Sequence, residues 1–183
     1  MKVIAIVGLA GSGKSEAALF FKNKNYPVIR FGDITDLELK ERGLEINEKN
    51  ERYIREQLRK ELGMDAYAKK NMPRILEALK KSDVVVLDGL YSWEEYLYLK
   101  EQFKDNLVVL ALYAPPNLRY ERLKNREVRP LTCEESANRD KAEIENINKA
   151  GPITMADFTI DNSGTLEELN MKLDKFLKYI EME

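Results

Sequence analysis

The strongest constraint on this chain is the octet Gly8-Leu9-Ala10-Gly11-Ser12-Gly13-Lys14-Ser15, which satisfies the spacing G-x-x-x-x-G-K-[ST]. The apolar run Val3–Val7 precedes it and predicts a strand, and Glu16 to about Lys24 predicts a helix. Glycine at three of the eight positions lets main-chain N–H groups approach a triphosphate closely. The loop then opens a helix whose unpaired amides and dipole favour negative charge. Lys14 is expected to reach the β- and γ-phosphates, and the Ser15 hydroxyl to help hold Mg²⁺. The octet thus predicts a nucleoside triphosphate site served by ATP and Mg²⁺.

Composition narrows the chemistry. With 183 residues the chain suits one domain with a real core. It contains no histidine and a single cysteine, Cys133, which excludes histidine catalysis, histidine-ligated metal and an internal disulfide. Cys133 itself has no partners in the pattern and reads as inert. A net charge of −2 without a basic stripe argues against nucleic acid as a partner. No apolar run approaches the roughly 20 residues of a membrane span, so no membrane insertion is expected. An apolar strand from residue 2 leaves no room for a leader, and the expected location is cytoplasmic.

Apolar runs at Val3–Val7, Val28–Phe31, Val84–Leu87, Leu107–Leu112 and Ala156–Ile160 alternate with helical stretches. Such runs predict an α/β fold of the P-loop NTPase type, a five-stranded parallel sheet covered on both faces. Ligands in these sheets bind beyond the carboxyl ends of the strands, so the residues after each run are the candidates. After the second run stands Asp33, a carboxylate that could face a ligand or cap the following helix. The charged stretch 34–81, broken near Gly43 and Gly63, reads as a helical insertion packed only partly on the core. After the third run, Asp88 matches the metal-side carboxylate of P-loop enzymes. Ser92 and Glu95 form a capping box, and Trp93, Tyr96, Leu97 and Phe103 share one side of the helix it opens. That side is expected to be core.

After the fourth run, Arg119, Arg122, Lys124, Arg126 and Arg129 fall within eleven residues, with Arg139 beyond them. Guanidinium groups beside a phosphate site suit anion recognition and the charge that develops in phosphoryl transfer. Interspersed Glu121 and Glu127 also allow a solvated basic face. The closing segment has a second capping box, Thr165 with Glu168, and an apolar stripe from Leu166 to Ile180. The turn at 161–164 lies where it could border an adenine.

Together these landmarks resemble the P-loop kinases of small molecules, the nucleoside monophosphate kinases and dephospho-CoA kinases. Ala156-Asp157-Phe158-Thr159-Ile160-Asp161-Asn162-Ser163-Gly164-Thr165 resembles the end of a dephospho-CoA kinase, and Gly32-Asp33 and Asp88-Gly89 resemble the acceptor-side motifs of adenylate kinases. Over its length the chain is most similar to the archaeal UPF0200 family. The resemblance implies a single domain over 1–183, with 34–81 covering the acceptor and 119–139 acting as a lid. It departs from adenylate kinases where they carry acceptor arginines, since this chain has Asp36 and Ser92 there. That argues against a nucleoside monophosphate bound in the usual way, unless Arg30, Arg42 or Arg55 substitutes.

The expectation is an ATP-dependent phosphotransferase acting on a small-molecule acceptor, dephospho-CoA-like or a nucleotide. Gly8, Leu9, Ala10, Gly11, Ser12, Gly13, Lys14 and Ser15 would hold the triphosphate, and Ser15 and Asp88 the metal. Arg122, Arg126 and Arg139 would neutralise the migrating phosphoryl group, and Asp33 would orient or deprotonate the acceptor. The competing expectation is a nucleotide-dependent switch or slow NTPase acting on a protein partner.

Overall fold

The computed structural model describes residues 1–127 and 130–182, so Arg129 of the basic segment lies outside the described residues. Five strands form one parallel sheet: β1 (Lys2–Val7), β2 (Val28–Arg30), β3 (Val84–Asp88), β4 (Leu107–Tyr113) and β5 (Phe158–Asp161). Their order is β2-β3-β1-β4-β5, with β1 at the centre. Alternate residues of β1 serve opposite faces, as the pleat requires. Val3, Ala5 and Val7 enter one core, and Ile4 and Ile6 the other. Expected and observed strands differ chiefly at β5. The Asp157 carboxylate accepts the Val109 amide at 2.7 Å, so a side chain takes the place of the ladder and the strand begins at Phe158.

On one face lie α1 (Lys14–Asn23) and α9 (Leu166–Met182), which bury Phe20 and Phe21 against Leu169, Leu173, Phe176 and Leu177. Leu166, expected in that stripe, is half exposed because it begins the helix beyond the sheet edge. The other face is covered by α2 (Asp33–Glu41), α3 (Glu48–Leu62), α4 (Ala66–Leu79) and α5 (Trp93–Phe103). The breaks at Gly43 and Gly63 separate the helices of the insertion, both with positive φ. Partial packing underestimates that region. Leu39, Ile54, Leu58, Tyr67 and Ile75 are all essentially inaccessible, so its charged residues coat a complete apolar face. Leu97 is a second correction: it is exposed, while Tyr96 and Phe103 are buried. The chain then runs through α6 (Pro116–Lys124), α7 (Cys133–Ile147) and α8 (Ala150–Thr154). Among the described residues no helix is long and apolar enough to cross a membrane.

The capping box at Ser92 carries a testable cost. Glu95 Oε2 accepts the Tyr91 amide at 2.8 Å and the Ser92 amide at 3.4 Å in a fully buried position. Burial pushes its carboxyl up to about 7, against the pull of those amides and of Arg59 and Lys149. A carboxyl raised in the folded state favours folding below its ordinary 4.5, and that contribution is lost as pH rises to about 7. Glu95→Gln keeps an acceptor for the amides and is expected to remove up to about 3 kcal/mol of pH dependence. Melting curves of the two proteins from pH 5 to 8 check this. Parallel profiles would refute it.

Candidate active site

The P-loop follows β1 directly, and its shape is held from outside. Its carbonyls are engaged by side chains behind it. Arg119 Nη1 donates to Ala10 O at 3.0 Å, Asn162 Nδ2 to Ser12 O at 2.9 Å, and Lys14 Nζ to Leu9 O at 2.9 Å. Fixing carbonyls in this way leaves the loop amides to define the cradle. Gly13, at φ 103°, is the N-cap of α1 and brings no side chain to cap the first turn. A Cβ at Gly13 would overlap the Asn162 amide, and one at Gly11 would lie 2.7 Å from Arg119 O. The loop therefore depends on glycine because its braces approach so closely. Ser12 Oγ is buried without a hydrogen-bond partner among the described residues, and Ser15 is exposed at the helix entrance. These observations fit a phosphate chain in the cradle and a hydroxyl ligand for Mg²⁺ at Ser15.

Arg119 differs from its expected role. It is 3% exposed and joined to Asp140 of α7 by two bonds of 2.9 and 2.6 Å, with Nε donating to Ala114 O. It is a brace for the P-loop, and Tyr120 donates a further bond to Asp140. Arg122 is directed elsewhere too. Its Nη2 donates to Asn162 O at 2.8 Å, so it supports the turn after β5. Arg139 lies near the P-loop end and near Arg126, since it acts on both Lys14 and Arg126.

Burial pushes the Lys14 ammonium down to about 7, and Lys149 pushes in the same direction, while Glu143 and Asp88 oppose them. Asp88, at the end of β3, is pushed up by burial, against the pull of Lys14 and Arg30. The carboxylate and the P-loop lysine thus share one partly desolvated space, as a metal-side carboxylate requires. Lys149 and Glu143 were not legible in the sequence. They belong to no motif, and only the return of the chain from α7 to α8 brings them here.

The acceptor side is built at the end of β2. Gly32, not Asp33, occupies the N-cap position of α2, and the Asp33 side chain makes no cap. Its carboxylate instead lies between two arginines, Arg30 at 3.3 Å and Arg74 at 2.7 Å. Arg74 is oriented by Asn71 Oδ1 at 2.7 Å and also meets Arg30 O. Of the three arginines considered as substitutes, Arg30 reaches this place. Arg42 pairs with Glu38, and Arg55 with Glu51. Arg74 and Arg59 were missed. Arg59 lays its guanidinium 5.4 Å from the centre of the Tyr67 ring, and its buried Nε lacks a hydrogen-bond partner among the described residues. A cavity of about 560 Å³ opens beside Asp33, lined by Asp36, Leu37, Lys40, Leu44, Ile46 and Arg74 as well. Tyr91 fills the space beyond Asp88, its hydroxyl packed on Gly89.

Comparison with known proteins agrees with this geometry. A family model described as an AAA domain matches residues 4–146, which takes in the P-loop and both carboxylates. A UPF0200 protein of Thermococcus kodakarensis is 35% identical over 97% of each chain. The chain belongs to the UPF0200 family. A UPF0200/UPF0201 protein of Archaeoglobus fulgidus is 38% identical across all of this chain, which spans 58% of that longer protein. Among solved structures, the TT1252 protein of Thermus thermophilus aligns over 97% of each chain with a TM-score of 0.63 at 22% identity. A gluconokinase from Sinorhizobium meliloti gives 0.57 at 16% identity, over 99% of this chain and 96% of that one. The shikimate kinase of Aquifex aeolicus gives 0.55 at 22%, over 96% of each. At such identities the likeness establishes the fold alone, one that this chain shares with a gluconokinase and a shikimate kinase.

Proposed function

We propose that this UPF0200 protein transfers the γ-phosphoryl group of Mg·ATP to a small-molecule acceptor, dephospho-CoA-like or a nucleotide. The observation that carries the reading is the placement of three features along the strand ends: the braced P-loop after β1, Asp88 ending β3, and the Arg30–Asp33–Arg74 group after β2. Loop amides and Lys14 hold the triphosphate, and Arg139 and Arg126 neutralise charge as it moves. Ser15 and Asp88 would hold Mg²⁺, which supplies charge neutralisation at the phosphates. The acceptor oxygen attacks the γ-phosphorus, the bond to the β-bridging oxygen breaks, and ADP leaves with the electron pair.

The acceptor proton passes to Asp33 when the acceptor is a hydroxyl. Both oxygens of Asp33 are held by arginines, so an acceptor with its own anion suits this side. It draws Arg74 or Arg30 to itself and frees a carboxylate oxygen for the proton. Gluconokinase and shikimate kinase, two of the structural neighbours, are by name kinases of small molecules. The lid-like segment 119–139 is anchored at both ends, by Arg119 and Leu123 in α6 and by Ser136 in α7, all buried. Closure of such a lid over the site would exclude water from the transfer.

Phosphorus NMR of the protein with Mg·ATP and AMP, CMP, UMP or dephospho-CoA tests the proposal. A new phosphomonoester or diphosphate signal with one acceptor is expected. ADP and free phosphate forming at one slow rate with every acceptor would overturn it in favour of a nucleotide-dependent switch.

A further inference from the structure

The reading above leaves Lys149 and Glu143 without a task. The Lys149 side chain is 3% exposed, although an ammonium is costly to remove from water unless it is well paired. It stands immediately before α8, after Asn148 ends α7 at φ 52°. Its Nζ donates to Glu143 Oε2 at 2.7 Å, and its backbone amide to Glu143 O at 3.1 Å. The other oxygen of Glu143 accepts from Arg139 Nε at 3.1 Å. One carboxylate is therefore shared by two cations.

A third cation faces the same carboxylate. Lys14 is acted on by both Lys149 and Arg139, and its own hydrogen bond goes to an uncharged carbonyl. The opposing carboxylates are Glu143 and Asp88, two against three cations. Positive charge exceeds negative in a partly desolvated space, which is unfavourable until an anion enters. The position is also fixed from a second side. Lys149 Nζ lies 5.4 Å from the centre of the Tyr91 ring, and the Tyr91 hydroxyl packs on Gly89, next to Asp88. Lys149 thus stands between α7 and the Asp88 loop, on the side where Arg139 approaches the P-loop. An ion pair that merely joined α7 to α8 would need neither Arg139 nor Lys14 nearby.

We propose that Lys149 is a second phosphate-binding lysine, held ready by Glu143, that contacts the γ-phosphoryl group and makes the site prefer a triphosphate to a diphosphate. The assignment rests on the nucleotide reading above. An ammonium has three N–H donors, and Glu143 takes one. A γ-phosphate supplies the anion that Glu143, divided between two cations, does not fully provide. Arg139 gains the same partner.

Calorimetric titration with Mg·ADP and with the non-hydrolysable Mg·AMP-PNP tests this. Lys149→Met is expected to weaken AMP-PNP by about 10-fold or more while ADP changes by less than about 3-fold. Lys149→Arg keeps the charge and is expected to retain most of the preference. Equal weakening of both nucleotides, as a structural role would give, overturns the proposal, and so does no weakening of either. If the methionine variant does not fold, Glu143→Gln decides. It keeps all three cations, removes a negative neighbour of the phosphate, and is expected to tighten AMP-PNP relative to ADP by about 3-fold or more. No change in that ratio overturns the proposal. A wild-type protein that binds neither nucleotide refutes the nucleotide reading itself. That result differs from binding of both by wild type and Lys149→Met alike.

Discussion

Arg119→Met is expected to lower the stability of the fold by about 3–5 kcal/mol and its melting temperature by roughly 10 °C. Three groups lose their partner at once. Asp140 is 7% exposed and, among the described residues, keeps only the Tyr120 hydroxyl, while Ala10 O and Ala114 O lose a buried donor. Removing one member of a buried pair leaves an uncompensated charge, which costs more than the pair itself contributes. The double variant Arg119→Met, Asp140→Leu is therefore expected to recover part of the loss, a coupling that a thermal double-variant cycle measures. Function should fall further than stability explains. Ala10 O is one of the anchors that hold the P-loop carbonyls outward, so nucleotide affinity should drop even at temperatures where the variant is folded. A single variant within about 1 kcal/mol of wild type would remove Arg119 from this role.

The contrast between Arg119 and Lys14 explains what the sequence could reveal. The P-loop is legible because its chemistry depends on consecutive residues, and the five strands because a parallel sheet buried on both faces demands continuous apolar runs. Asp33 and Asp88 follow from position, since Asp88 ends β3 and Asp33 opens the helix that follows β2. Arginine clusters are less readable. A guanidinium in a basic segment can face a ligand, a carboxylate or a carbonyl, and the alternatives differ only in what the fold brings opposite. For Arg119 that was Asp140, 21 residues away, and for Arg122 it was Asn162, 40 residues away. Arg74 lies 41 residues from Asp33 and reaches it because α4 returns alongside α2. Charge density in 34–81 misled in the same way. It measures the outer face of the insertion, and the apolar face at helical spacing decides the packing.

Lys14→Met is expected to move activity and stability in opposite directions. The charged donor nearest the migrating phosphoryl group is lost, and turnover of Mg·ATP should fall by about 10³-fold. The fold should gain. Burial and Lys149 hold the Lys14 ammonium down at about 7, against an ordinary 10.5. A cation lowered in the folded state disfavours folding most at and below pH 7, and that penalty is relieved as pH rises toward 10.5. Methionine preserves the apolar stem and removes the partly desolvated charge, which should raise stability at pH 7 by about 2–4 kcal/mol. The gain should shrink as pH rises from about 7 toward 10.5, because folded wild-type Lys14 is then already neutral while the unfolded chain gives up its proton over that range. Melting curves across that range, with nucleotide turnover by the same samples, read both effects. A variant that is destabilised at pH 7 and still turns over ATP would mean that Lys14 braces Leu9 O rather than serving a phosphate. A stabilised and inactive variant would mean that the chain keeps a destabilising charge at the position where a triphosphate needs it.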